Sequence, residues 1–335
     1  MYYKIMFYIS LITGTLITVS SYSWMGMWMG LEINLLSIIP LMASTKNMMA
    51  SEAALKYFIT QALASTILLF SIIMISLNFN FDLNVNFYFN LLLNTSLLTK
   101  MGAAPFHFWF PEVMEGLSWL NSLIMLTWQK IAPMVLLMYS NYTVLYLALI
   151  IITSMMISGV MGINQTSLRK ILAYSSINHI GWMIGAILIS PTLWFYYFVI
   201  YCMISTNIIL IFKKFNLFHI NQLYISMNTN SLLKFTFILN FLSLGGLPPF
   251  LGFLPKWLLI NALISSNLYS MAFLMTVMTL LTLHFYMQLA FSSLLLIKTN
   301  TNYYWNTKFQ LFMIMTSNFI ILSGLITCTM MFNFA

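Results

Sequence analysis

Eleven apolar stretches follow one another through this chain with only short polar breaks, each close to the roughly 20 residues a helix needs to cross a bilayer. They cover residues 4–20, 24–43, 52–77, 87–110, 117–139, 142–162, 168–190, 192–211, 234–265, 268–297 and 308–334. Backbone in hydrocarbon must satisfy its own amides and carbonyls, and a helix does so within one segment. The expectation is an all-α integral membrane protein, a single polytopic domain over residues 1–335. Only 5% of the 335 residues are charged, against roughly a quarter in soluble domains, and such a surface could not be wetted.

The first twenty residues carry Lys4 and an apolar run, as a signal peptide does. They lack a small-residue cleavage site and lead straight into a second apolar segment, so they read as a first membrane helix. No Arg-rich, Ser-rich amphipathic transit segment is present either, and an organelle location therefore calls for local synthesis. The 28 Met, 28 Phe and 18 Tyr, with Arg169 the sole arginine, fit an AT-rich genome.

Orientation follows from the basic residues, which gather on the cytoplasm-equivalent side of retained loops. If the N-terminus lies on that side, Lys4, Lys46, Arg169, Lys170, Lys213, Lys214, Lys234, Lys298 and Lys308 all fall there, while the opposite side carries Asp82. Eleven helices put the C-terminus on the opposite face. The net charge of +8 comes without any dense basic run, which argues against a nucleic-acid partner. Cys202 and Cys328 lie far apart in apolar stretches and match no metal or redox spacing.

Several charges have no loop to live in. An ammonium at the bilayer centre costs about 2.5 to 3.5 kcal/mol on insertion scales, so an intramembrane ionisable group is read first as functional. Glu32 sits about eight residues into an apolar segment with Asn34 and Ser37 near it. It is either a structural counter-ion for a lysine or a carboxylate that modulates that lysine's protonation. Lys100 precedes GAAPFHFWFPE, where Pro105 should break the helix. In NFLSLGGLPPFLGFLPKW, residues 240–257, three glycines and three prolines forbid a continuous helix just before Lys256. Broken helices beside buried lysines point to a transporter built from inverted repeats, although Gly102 and Ala103 alone could serve close packing.

Lys130 lies mid-segment beside Gln129, too deep to reach an interface. His179 shares its segment with Tyr174, Ser175, Ser176 and Asn178, and either a proton relay or a satisfied core donor fits it. His107, beside the first break, is a secondary relay candidate. Lys56 stands four residues after Glu52, the favourable order for a helix-surface pair. Glu112 and Glu115 follow the first break, where a helix N-terminus favours carboxylates or where protons could enter. No nucleotide-binding glycine motif, CxxC cluster or haem-spaced histidine pair is present. The chain is expected to bind no cofactor and no metal.

In combination, GLEINLLSIIPL, STKNMMASEAALKYFITQALAS, LLTKMGAAPFHFWFPEVMEG, LTWQKIAPM, GINQTSLRKILAYSSINHIGWM and FLSLGGLPPFLGFLPKW closely resemble the family of second NADH dehydrogenase subunits encoded in animal mitochondrial genomes. The matching blocks run from about Leu16 to Trp257. The resemblance implies an antiporter-like core subunit of respiratory complex I in the mitochondrial inner membrane, N-terminus to the matrix. It implies a fold truncated by about three helices at its N-terminus relative to the bacterial form. NADH, FMN, iron–sulfur clusters and ubiquinone would belong to other subunits, and the partners would be those membrane-arm subunits together with lipid such as cardiolipin. Carried over residue by residue, proton translocation falls to Glu32, Lys100, Lys130, His179 and Lys256. A Glu32–Lys100 pair would act as the switch, sending a proton through His179 and Lys130 towards Lys256. The alternative is a stand-alone cation/proton antiporter.

Overall fold

The computed structural model describes residues 2–44, 47–77, 83–227 and 231–295, with residues 318, 319, 323 and 324. Apart from those last four, segment 308–334 lies outside the described residues, as do Lys46, Asp82, Lys298, Lys308 and Cys328. Every regular element among the described residues is a helix, joined by one isolated bridge between Ser167 and His219. Eight of the described spans are long and apolar enough to cross a membrane.

The chain folds as two compact units, residues 1–154 and 155–335. The first holds α1 (Tyr2–Ser20), α2 (Trp24–Met42), α3 (Met48–Leu77), α4 (Leu83–Met101), α5 (Trp109–Gly116), α6 (Trp119–Leu126) and α7 (Trp128–Tyr139). α8 (Val144–Ile163) carries the chain onward to α9 (Leu168–Ile189), α10 (Pro191–Phe215), α11 (Ile220–Met227), α12 (Ser231–Gly245), α13 (Phe253–Ser265) and α14 (Tyr269–Leu295).

Hydroxyls sit in these apolar helices without being orphaned. Thr15, Thr18, Ser37, Ser71, Ser96, Ser175 and Ser176 each donate to the carbonyl three residues earlier, at 2.6 to 2.8 Å. Helix ends are set by familiar side chains. Ser23 caps α2 by accepting from the Gly26 N–H, and Ser190 does the same for α10, whose first position is Pro191. In the first unit, α1 and α2 approach closely at Gly14 and Gly30. A Cβ on Gly30 would lie 2.6 Å from Thr18 Cγ2 and 2.8 Å from both Gly14 O and Thr18 N. Small residues allow such contact in membranes, where lipid is as apolar as leucine and packing must come from close fit.

In the second unit α9 is buried along nearly all its length, from Leu168 to Ile187. Its polar residues Ser175, Ser176, Asn178 and His179 therefore face other helices of that unit and not lipid.

Two helix ends share one design. At α4, Gly102 takes φ 73°, its N–H bonding Thr99 O at 3.2 Å while the Ala103 N–H bonds Leu98 O at 3.1 Å. At α12, Gly246 takes φ 78°, its N–H bonding Ser243 O at 3.0 Å while the Leu247 N–H bonds Leu242 O at 3.3 Å. Both are Schellman caps, which need a residue without a Cβ penalty in the left-handed position. The sequence after each cap recurs: G-x-x-P-F-x-x-x-x-P spans Gly102 to Pro111 and again Gly246 to Pro255. The following helices, α5 and α13, start at equivalent positions of that motif, Trp109 and Phe253.

The predicted segment 117–139 resolves into α6 and α7, with Thr127 between them at φ −114°, ψ −71°. Thr127 N–H bonds Leu123 O at 3.0 Å, and its Oγ1 donates to the same carbonyl at 2.7 Å.

Candidate functional site

The first unit places Glu32 on α2, Lys100 in the last turn of α4 and Lys130 in the first turn of α7. Lys100 is 8% exposed and Lys130 1% exposed, a degree of burial lysine shows almost only when it has a partner or a task. Glu32 and Lys100 form no direct ion pair. Glu32 lies near enough to act on both Lys100 and Tyr57 through space, and its Oε1 is buried without a hydrogen-bond partner. Beside Lys100 lies a small cavity, about 10 Å³, lined in part by Asn34, Tyr57, Gln61, Lys100 and Gln129. That volume suits one water molecule with several polar partners.

The lining groups are themselves linked. Gln129 Nε2 donates to Asn34 Oδ1 at 2.8 Å, Tyr57 OH reaches Gln129 Oε1 at 3.4 Å, and Gln61 Nε2 donates to the Lys100 carbonyl at 3.5 Å. Asn34 and Gln129 were noticed beside the charged residues in the sequence. Tyr57 and Gln61 were missed, although their four-residue spacing on α3 puts them on one helix face.

The break after α4 accounts for its freed carbonyls. Trp109 Nε1 donates to Thr99 O at 3.1 Å, and Thr153 Oγ1 to Ala104 O at 3.1 Å. His107 is buried, with Nδ1 3.3 Å from Pro105 O and its ring centroid 4.4 Å from that of Phe108. Irregular backbone is tolerated at membrane depth where protein groups satisfy it in this way. Lys130 Nζ lies 5.7 Å from the centroid of the Phe110 ring on α5.

Lys56 does pair with Glu52 at 2.9 Å, and also with Glu112 at 2.8 Å, so α3 is tied to α5. All three side chains are about half exposed, and exposed pairs contribute little. Changing Glu112 to Gln leaves Lys56 its Glu52 partner. The expected result is a thermal midpoint and turnover close to the parent's in the assembled complex. A large drop in turnover with assembly intact would instead mark Glu112 as a proton carrier.

In the second unit His179 is 4% exposed, and its Nδ1 lies 2.9 Å from the Tyr197 hydroxyl, with the Tyr201 ring centroid 5.0 Å away. Three residues further along α9 the Trp182 ring faces Lys256, whose Nζ is 5.6 Å from its centroid. Lys256 is 6% exposed, and its Nζ donates to the Gly245 carbonyl at 2.8 Å, across the α12–α13 interruption. Trp182 was not singled out in the sequence, where it is one apolar residue among many.

A family profile described as NADH:quinone oxidoreductase/Mrp antiporter, transmembrane, matches residues 21–282. The chain belongs to this family. Among curated members of the NADH:quinone oxidoreductase family it is similar to the NADH-ubiquinone oxidoreductase chain 2 of two mosquitoes. With that of Aedes aegypti it shares 51% identity over 97% of each chain, and with that of Anopheles gambiae 50% over 97% of each. Solved structures agree on the fold. A chain of Thermus thermophilus respiratory complex I with bound aureothin superposes at TM-score 0.87 and 23% identity, covering 98% of this chain and 79% of that one. A chain of the Mrp complex from Dietzia sp. DQ12-45-1b gives TM-score 0.71 at 18% identity, covering 84% and 59%. Antiporter-like architecture was expected from lysines beside broken helices, and these likenesses bear that out at the level of fold.

Proposed function

We propose that the chain is a core membrane-arm subunit of mitochondrial NADH:ubiquinone oxidoreductase, moving protons across the inner membrane while electrons pass from NADH to ubiquinone in other subunits. Near-full-length similarity to curated chain 2 proteins carries this reading. The buried lysines say where the chemistry would reside. Lys100, Lys130 and Lys256 are each at least nine-tenths buried, and Lys100 and Lys256 each stand beside a glycine-capped helix interruption.

In this reading Glu32 attracts the Lys100 ammonium, and a charge change along the membrane arm weakens that attraction and releases a proton. The cavity bounded by Lys100, Tyr57 and Gln129 would hold the water through which it leaves towards Lys130. His179, steadied by Tyr197, and Lys256 carry the equivalent steps in the second unit. His107 remains a secondary candidate for the relay. The recurrent motif at Gly102 and Gly246 supports a pair of repeats within an eleven-helix membrane bundle, its N-terminus facing the matrix. NADH, FMN, iron–sulfur clusters and ubiquinone would be held by partner subunits, with lipid, cardiolipin included, covering the exposed flank.

A stand-alone cation/proton antiporter uses the same parts, and the likeness to the Mrp complex is of fold alone. Gentle solubilisation of inner membranes separates the two. Co-migration of this chain with NADH-oxidising, quinone-reducing activity is the expected outcome. Ion exchange by the isolated chain in vesicles without NADH would favour the antiporter.

A further inference from the structure

We infer that Trp182 and the Gly245–Gly246 turn form a receptacle for the protonated side chain of Lys256, made from a ring face and a backbone carbonyl with no carboxylate. Trp182 is thereby a positioning residue for proton transfer. This rests on the reading of Lys256 as a proton carrier and adds how its charge is held.

The geometry is specific. The ammonium donates to Gly245 O at 2.8 Å and lies 5.6 Å from the Trp182 ring centroid. Both groups are neutral, and no ion pair to Lys256 is formed among the described residues. Gly245 is the last residue of α12, and its carbonyl is one of those left without a helical partner. Trp182 is 1% exposed, and among the described residues its indole Nε1 has no hydrogen-bond partner. Its polar edge therefore does not explain a tryptophan at this place; its face does, being the best of the aromatic surfaces for a cation. Gly246 completes the receptacle by what it lacks. A Cβ there would stand 2.8 Å from Lys256 Cδ, 2.9 Å from Nζ and 3.0 Å from Cε. The lysine passes directly over the glycine.

The arrangement differs from that of Lys100, which has Glu32 in its electrostatic neighbourhood. A lysine held only by neutral groups can lose its proton without stranding a buried carboxylate. It can therefore alternate between charged and neutral forms where it is buried.

The test compares Trp182→Phe, Trp182→Leu, Gly246→Ala and Lys256→Met in the assembled complex, reading complex abundance, NADH:quinone turnover and proton uptake. Phe keeps a ring face and Leu keeps only apolar bulk. Trp182→Leu should lower coupled turnover by about tenfold, while Trp182→Phe should recover most of the loss. Gly246→Ala should reproduce the Leu variant's defect, because the new methyl displaces the lysine. Parent-like pumping by Trp182→Leu, or equal loss with Phe and Leu in intact complex, overturns the inference and leaves Trp182 as packing. Should the Trp182 variants fail to assemble, Gly246→Ala decides. Loss of pumping in assembled complex sustains the receptacle, and parent-like pumping overturns it. Lys256→Met keeps the two levels apart. Normal pumping by that variant sinks the role of Lys256 itself, whereas its loss beside a healthy Trp182→Leu variant sinks only the receptacle.

Discussion

Replacing Lys100 by Met is expected to abolish proton uptake and NADH:quinone turnover together while leaving the complex assembled. Methionine matches the lysine stem in length and flexibility and removes an ammonium that is costly in hydrocarbon, so the fold should tolerate it. The Gln61 bond survives, because it is made to the Lys100 backbone carbonyl. What disappears is the one titratable amine among the residues lining the cavity with Asn34, Tyr57 and Gln129. A positioned proton donor is typically worth roughly 10²-fold or more in rate, and a loss of that order is the expectation. The measurement is turnover and uptake in isolated complex, with assembly confirmed on a native gel. Parental rates in an assembled Lys100→Met complex would leave the residue structural and remove the proposed switch.

The second large effect is one of helix packing. Gly30→Val should keep the chain from assembling into complex, because both closest backbone neighbours, Gly14 O and Thr18 N, are only 2.8 Å from where its Cβ must go. Side chains can swing aside, but backbone atoms of α1 cannot move without the helix. Overpacking of this kind costs typically 1 to 3 kcal/mol in a well-packed core, and valine adds two methyls beyond the Cβ. Quantifying assembled complex and its thermal midpoint tests it. Parental abundance with an unchanged midpoint would show that α1 and α2 can part at little cost.

Much of the fold could be read from the sequence because the bilayer imposes length and polarity together. The interruptions were legible for the same reason: Pro105 and the run from Gly245 to Pro255 cannot continue a helix. The discontinuity at Thr127 was not legible. It depends on a local backbone angle and one hydroxyl, and threonines of this kind are common within intact membrane helices. The two breaks beside lysines already point to repeats in the sequence, and the shared caps add what the recurring G-x-x-P-F-x-x-x-x-P does at each.

The candidate charges were found because charge is rare here, whereas their neutral neighbours were not. Tyr57, Tyr197 and Trp182 belong to aromatic types this chain holds in quantity, with 18 Tyr and 9 Trp, and the sequence does not say which of them meet a titratable group. The proposed Glu32–Lys100 switch also looks different in three dimensions. Glu32 acts on Lys100 through space, without a direct bond between them. A one-letter string records who is charged, and says nothing of how far apart.

The lysine resting on the end of α12 has a mechanical side. Aligned peptide units leave about half an elementary negative charge at the C-terminus of a helix, and the Lys256 amine, bonded to the Gly245 carbonyl, sits against that end. While it carries its proton, it compensates the axial dipole of α12 as a counter-ion would. In the proposed role, loss of that proton would remove the compensation and with it the electrostatic clasp between α12 and α13. If Lys256 carries a proton as proposed, its change of charge would also change the electrostatic hold between α12 and α13, so that a proton step could be accompanied by a displacement.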